Sequence, residues 1–307
     1  MEFKHVSVLL RESIDSLNIK DDGIYVDCTA GGGGHTSEIA KRLTTGKVIA
    51  IDQDPDAIEV LNERFKDNRK VIVVHDNFEN IKSIVSSLGF EKVDGVLADL
   101  GVSSHQLDDG ERGFSFHQDA ALDMRMSQEG ETAADVINSL SERELSVIFQ
   151  KYGEEKFARN IAKNIVKERQ QKRIETTFEL AEIVKYSIPA AARRSGGHPA
   201  RRVFQAVRIY VNNELGRLEN SLDDMFDLLN TGGRLSIITF HSLEDRMVKK
   251  KFAAWCVSCT CPPSSPICTC GGKADGRLVF KKMPPSIEEI EENPRSRSAM
   301  LRSIEKL

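Results

Sequence analysis

The first hundred residues alternate short, unbroken apolar runs with stretches of helical periodicity, and no other feature of the chain narrows its fold as far. The runs are GIYVDC (23–28), KVIAID (47–52), KVIVVH (70–75) and VDGVLADLG (93–101). Apolar runs of this length, without polar alternation, suit strands covered on both faces, as in a parallel sheet, and parallel neighbours require a crossover between them. Between the second and third runs Asp54 stands where a helix cap belongs. Pro55 suits the first helical turn, and Ile58, Leu61 and Phe65 recur at helical spacing. The expected class is α/β, built from βαβ units.

From about Ser103 to Leu215 the strand runs stop and amphipathic helices take over, until GGRLSIITF (232–240) resumes a buried-strand pattern. This reads as a helical insertion. Ser141 and Glu144 form a capping-box pair ahead of Leu145, Ile148 and Phe149, and Thr177 precedes FELAEIVKYSI, which stops at Pro189. One insertion helix carries Phe157, Ile161 and Ile165 on one face and Lys156, Arg159, Lys163 and Lys167 on another. Residues 151–217 hold 15 Lys or Arg against 7 Asp or Glu, whereas the whole chain has a net charge of −4. The chain is therefore electrically polarised. Its overall charge excludes a uniformly basic protein but not a nucleic-acid partner, because binding depends on where charge sits.

With 307 residues, 40% of them hydrophobic, the chain can bury a substantial core. No apolar run approaches the roughly 18 to 20 residues of a membrane span, and MEFKHVSVLLRES is too charged for a signal peptide, so a cytoplasmic location is expected. Of six cysteines, five crowd between Cys256 and Cys270 while Cys28 stands alone. In a reducing compartment that cluster is either a zinc knuckle or a surface loop of free thiols; the CxC spacings are less diagnostic than paired CxxC units.

The first strand run leads into Thr29, Ala30 and four glycines at 31–34, and His35 opens a helix. Glycines let the backbone approach a ligand closely, and the helix start offers amide donors. The dinucleotide fingerprint GxGxxG fails, however, because Thr36 or Ser37 falls at the third glycine, and this counts against a nicotinamide enzyme. Asp52 lies about twenty residues beyond the loop at a strand end, where a carboxylate reaches the hydroxyls of a ribose. Phe78 follows the third run, placed either to pack on an adenine or to fill the core. Asp99 ends the fourth run, at the carboxyl edge where open α/β sheets bind ligands, and is the candidate reactive-centre residue. Ser103, Ser104, His105 and Gln106 are expected on a loop, without the paired base that would make a serine nucleophilic.

Seven strings then stand out in order: CTAGGGGHT, AIDQDP, DLGVSSHQLDDGERGFSF, LDMRM, RVFQAVRIYVNNEL, GGRLSIITFHSLEDR and ENPRSRSAMLR. Covering nearly the whole chain, they resemble the MraW (RsmH) family of bacterial ribosomal RNA small-subunit methyltransferases. The resemblance implies a Rossmann-like class I sheet that binds S-adenosyl-L-methionine, with an inserted all-helical domain; no residue is assigned to a metal site. It implies N4-methylation of a decoding-region cytosine of 16S ribosomal RNA, position 1402 in the usual numbering of that RNA. It assigns cofactor contacts to Gly33, Gly34, His35, Asp52, Phe78, Asp99 and Gln106; the role of Gln106 comes from the resemblance alone. The segment CVSCTCPPSSPICTCGG departs from many members, so the family chemistry does not require its cysteines.

The expected organisation is a methyltransferase domain from residues 1–105 and 216–307, and a substrate domain at 106–215 whose basic helix and AARRSGGHPARR run (191–202) contact RNA phosphates. Asp99 is expected to border both cofactor and target amine. The target base must be single-stranded or flipped out of its stack to reach such a pocket. Two further readings stay open: methylation of another nucleic acid or a protein, and a non-catalytic RNA-binding assembly factor. The oligomeric state is not legible, and a homodimer stays open.

Overall fold

The computed structural model describes residues 7–193, 198–259, 261 and 272–307. They divide into two compact units, Met1–Gly101 with Leu215–Leu307, and Val102–Glu214. The Arg194 end of the basic run and the cysteines at 268 and 270 lie outside the described residues.

In the first unit the strands are β1 (Ile24–Asp27), β2 (Lys47–Asp52), β3 (Val71–His75), β4 (Val93–Asp99), β5 (Leu229–Thr239), β6 (Gly276–Met283) and β7 (Met300–Lys306). They form a sheet in the order β3-β2-β1-β4-β5-β7-β6. The first five pair in parallel, while β7 runs antiparallel to both β5 and β6, with Ser236 opposite Ser303. The four expected strand runs coincide with β1 to β4, and Val26, Ile49, Ile51, Val96 and Ala98 are fully buried. The chain steps outward from β1 to β2 and β3, then returns to β4 on the other side of β1. That reversal makes the carboxyl ends of β1 and β4 the topological switch point, the place where ligands of open α/β sheets bind.

The crossovers form for local reasons. Asp54 caps the helix Pro55–Phe65 by accepting the Asp56 N–H at 3.2 Å, and Leu61 and Phe65 bury the inner face. Near the C-terminus, Arg302 of β7 is buried and donates to both oxygens of Asp245 (2.7 and 2.9 Å), which joins the ENPRSRSAMLR stretch to the helix Ser242–Trp255.

The second unit is helical, apart from an isolated bridge between Ala121 and Thr176. Leu145, Phe149, Ile161, Ile165, Val184, Phe204 and Val207 form its core. In the helix Ala158–Arg169, Ile161 and Ile165 are fully buried and Arg159, Lys163 and Lys167 exposed, while Phe157 sits just ahead as a half-buried cap residue. The Ser141–Glu144 box is present. Two local expectations need correction. Thr176, not Thr177, caps the helix Thr177–Ser187, because Thr177 Oγ1 instead donates to the Gln118 carbonyl at 2.6 Å. Ser104–Asp108 is a short helix rather than a loop, since Ser103 and Gln106 close a capping box around its first turn.

Candidate active site

The glycine loop is held from both sides. Asp52, at the end of β2, accepts the Gly31 N–H through Oδ2 (2.7 Å) and the Asp54 N–H through Oδ1 (2.8 Å). On the other side Thr29 Oγ1 accepts the Asp99 N–H at 2.7 Å, tying the loop to the end of β4. Gly33 has φ +78°, and a Cβ there would lie 2.7 Å from Phe65 Cε2, so its place is restricted to glycine. At Gly34 a Cβ would lie 1.9 Å from Ser7 Oγ. A Cβ at Gly31 or Gly32 would meet nothing within 4 Å among the described residues, so this side of the loop is open to a ligand.

Asp27, under the loop, is fully buried. Thr36 Oγ1 donates to its Oδ2 at 2.7 Å, and the Thr29 N–H donates to its Oδ1 at 3.3 Å. Burial pushes its carboxyl up to about 6 against these bonds. Burial likewise pushes Asp52 to about 6; the two backbone donors oppose the rise, and the charges of Asp54 and Asp27 add to it. At Asp99 the burden is larger: burial first, then the carboxylates of Asp27, Glu244 and Glu289, push it well above the ordinary range. Asp99 Oδ1 is buried with no hydrogen-bond partner among the described residues, and Oδ2 lies 3.9 Å from His35 Nδ1. An orphaned carboxylate oxygen on the same sheet edge as an open glycine loop is placed to take a donor from a ligand.

His35 is buried in the first turn of the helix Gly34–Arg42, with Nε2 3.3 Å from the Val8 carbonyl. Because a carbonyl can only accept, Nε2 carries the proton; in the neutral ring Nδ1, the atom facing Asp99, is then an acceptor. Phe78 begins a short 3₁₀ turn after β3, half-buried and packed against the sheet core. Gln106 belongs to the helical unit, where its Oε1 accepts the Ser103 N–H at 3.0 Å. The sheet thus brings Gly33, Gly34, His35, Asp52 and Asp99 to one edge, Phe78 follows the adjacent strand, and Gln106 stands in the other unit. His241, which follows β5, caps the helix Ser242–Trp255: its Nδ1 accepts the Glu244 N–H at 3.4 Å, and Nε2 lies 3.1 Å from Glu244 Oε1.

Sequence reasoning passed over Thr29 and Asp27. Both flank the glycine run in the string DCTAGGGG, and a polar residue interrupting an otherwise apolar strand end was the available signal.

A sheet ordered 3-2-1-4-5-7-6 with its seventh strand reversed, a glycine loop after β1 and carboxylates ending β2 and β4 define a class I S-adenosylmethionine-dependent methyltransferase. The profile of the MraW methylase family matches residues 2–307, and the chain belongs to that family. It is 57% identical over 310 residues to the ribosomal RNA small subunit methyltransferase H of Clostridium botulinum (strain Loch Maree / Type A3), covering 100% of both chains. It is 56% identical over 311 residues to the protein of the same name from Lachnospira eligens, covering 100% of this chain and 99% of that one. A solved rRNA methylase structure from Streptococcus thermophilus covers 99% of both chains at 13% identity and a TM-score of 0.45, a likeness too loose to define a site or a substrate.

Proposed function

We propose that this protein transfers a methyl group from S-adenosylmethionine to N4 of a cytosine in the decoding region of 16S ribosomal RNA. The observation that carries the substrate assignment is the 57% identity, end to end, with a protein named ribosomal RNA small subunit methyltransferase H. In this reading Gly33, Gly34 and His35 line the cofactor's methionine end. Asp52 accepts from the ribose hydroxyls with the lone pairs its two backbone partners leave over, Phe78 packs on the adenine, and Gln106 keeps the cofactor role that the family resemblance gives it.

Bound S-adenosylmethionine supplies an electrophilic methyl group on a sulfonium. The cytosine amine is a poor nucleophile because its lone pair is delocalised into the ring, so placing it in line contributes much of the rate. Asp99 Oδ1, buried and without a partner among the described residues, would accept a hydrogen of that amine and take its proton as the nitrogen–carbon bond forms and the sulfur–methyl bond breaks, with S-adenosylhomocysteine as the leaving group. The environment that raises Asp99 also makes its ionised form a stronger base than an exposed carboxylate. The helical unit, with exposed Arg159, Lys163 and Lys167, binds RNA phosphates, and the target base is flipped out of its stack. A cytoplasmic enzyme acting on the small subunit fits this reading; no described helix is long and apolar enough to cross a membrane.

The test is transfer of labelled methyl to small subunits, and to naked small-subunit RNA, that lack the modification, followed by location of the label by mass spectrometry. Label on cytosine N4 in the decoding region is expected. Label elsewhere would redirect the activity to another acceptor, and absence of cofactor binding would leave an RNA-binding assembly factor.

A further inference from the structure

Phe116, His117 and His198 form an aromatic cluster in the helical unit. The Phe116 and His198 rings are stacked, with centroids 4.4 Å apart and planes 12° from parallel. His117 lies 4.5 Å from Phe116 at 47°, and 6.2 Å from His198. The buried Phe204 meets Phe116 edge-on at 5.4 Å and anchors the group to the core, while both histidines are exposed. The following residues are fastened to the helix Thr177–Ser187: Thr177 Oγ1 donates to the Gln118 carbonyl, and the Phe178 N–H to Asp119 Oδ1 at 3.3 Å. That helix exposes two further rings, Phe178 and Tyr186.

To cover Phe204, Phe116 alone would suffice; two exposed imidazoles add little to a core. Rings that are both exposed and held in a stack are prepared for another flat ring, and every nucleobase has one. Burial, with His117 and Lys185 nearby, holds His198 below the ordinary histidine value, so near pH 7 it presents a neutral face. Charge complementarity selects the occupant. Exposed Arg201 and Arg202 open the helix that begins three residues after His198, within a segment where basic residues outnumber acidic ones by two to one.

We propose that Phe116, His117 and His198 form a stacking platform for unpaired bases of the RNA substrate. The proposal rests on the reading of ribosomal RNA as substrate. A sequence-tolerant grip on bases flanking the target would complement a pocket that takes one flipped cytosine.

The experiment compares the full-length protein with the His117→Ala/His198→Ala double variant, using a labelled single-stranded decoding-region oligonucleotide, the same strand in a duplex, and methyl transfer to small-subunit RNA. Single-strand affinity is expected to fall about tenfold per ring removed, with the RNA KM rising in step, duplex binding little changed and S-adenosylmethionine affinity unchanged. His198→Phe should restore binding, and His198→Lys should not. Unchanged single-strand affinity and KM in the double variant would overturn the platform alone. Rescue by lysine as good as by phenylalanine would overturn stacking in favour of a phosphate contact. Failure of the wild-type protein to bind any RNA would overturn the platform together with the substrate assignment.

Discussion

Asp52 and Asp99 end two strands at the same sheet edge, yet their surroundings give them different chemistry. Both oxygens of Asp52 already accept backbone N–H groups, whereas Asp99 keeps one oxygen buried and unpaired among the described residues. Asp99→Asn removes the proton acceptor while keeping its size, and kcat for methyl transfer should fall roughly 100-fold or more; full turnover would end the catalytic assignment. For Asp52 the prediction concerns pH. Its carboxyl stands at about 6 in the free protein. Ribose hydroxyls donating to the ionised form would lower that value, so binding expels a proton wherever the free protein holds one. Cofactor affinity should be full above pH 6 and weaken, by up to about tenfold per pH unit, as pH drops below it. Calorimetric titrations at pH 5 and 8 check this, and Asp52→Asn should bind weakly with a flat profile. Folding of the free protein has the opposite slope: native Asp27 and Asp52 hold protons that the unfolded chain releases near pH 4. Their contribution to stability is therefore present below pH 4 and lost as pH rises to about 6.

Among the elements, helix ends were the most legible from sequence, because their signals are local. Asp54–Pro55 and Ser141–Glu144 stand where the structure uses them. The signals misread were equally local. Ser103–Gln106 has the capping-box pattern but heads only a five-residue helix, and Thr176 and Thr177 are adjacent candidates that only the Gln118 carbonyl separates. Thr176→Ala should therefore cost about 1 kcal/mol in chemical denaturation. Ile161→Ala, in the fully buried stripe of the helix Ala158–Arg169, should cost about 2 to 5 kcal/mol. An unchanged stability in Thr176→Ala would contradict the cap assignment, whereas Thr177→Ala is expected to lose stability separately, through the bond of its buried side chain to the Gln118 carbonyl. Strands β1 to β4 were legible as continuous apolar runs, but β6 was not: its sequence GRLVFKKM mixes charge with apolar residues, and it pairs only with β7 at the sheet's edge.

At the scale of the whole molecule, charge is segregated along the sequence, with the basic excess in residues 151–217. If those residues hold RNA, Lys163→Glu and Arg201→Glu should weaken binding to all RNA sequences alike. For every phosphate no longer neutralised, the slope of log affinity against log salt should become shallower by somewhat less than one; an unchanged slope would remove the helical unit from RNA binding. Composition and periodicity by themselves determined that this chain is α/β, which runs form its first four strands, and that a glycine loop and two strand-end carboxylates share one edge of the sheet. These are short-range properties, set by the spacing of apolar side chains and the needs of turns and caps. The reversal of β7, its insertion between β5 and β6, the Thr29 bond to the β4 backbone and the orphaned Asp99 oxygen were decided only by the tertiary structure. They depend on which distant segments meet and how much water they exclude, and a carboxylate's chemistry follows from that exclusion.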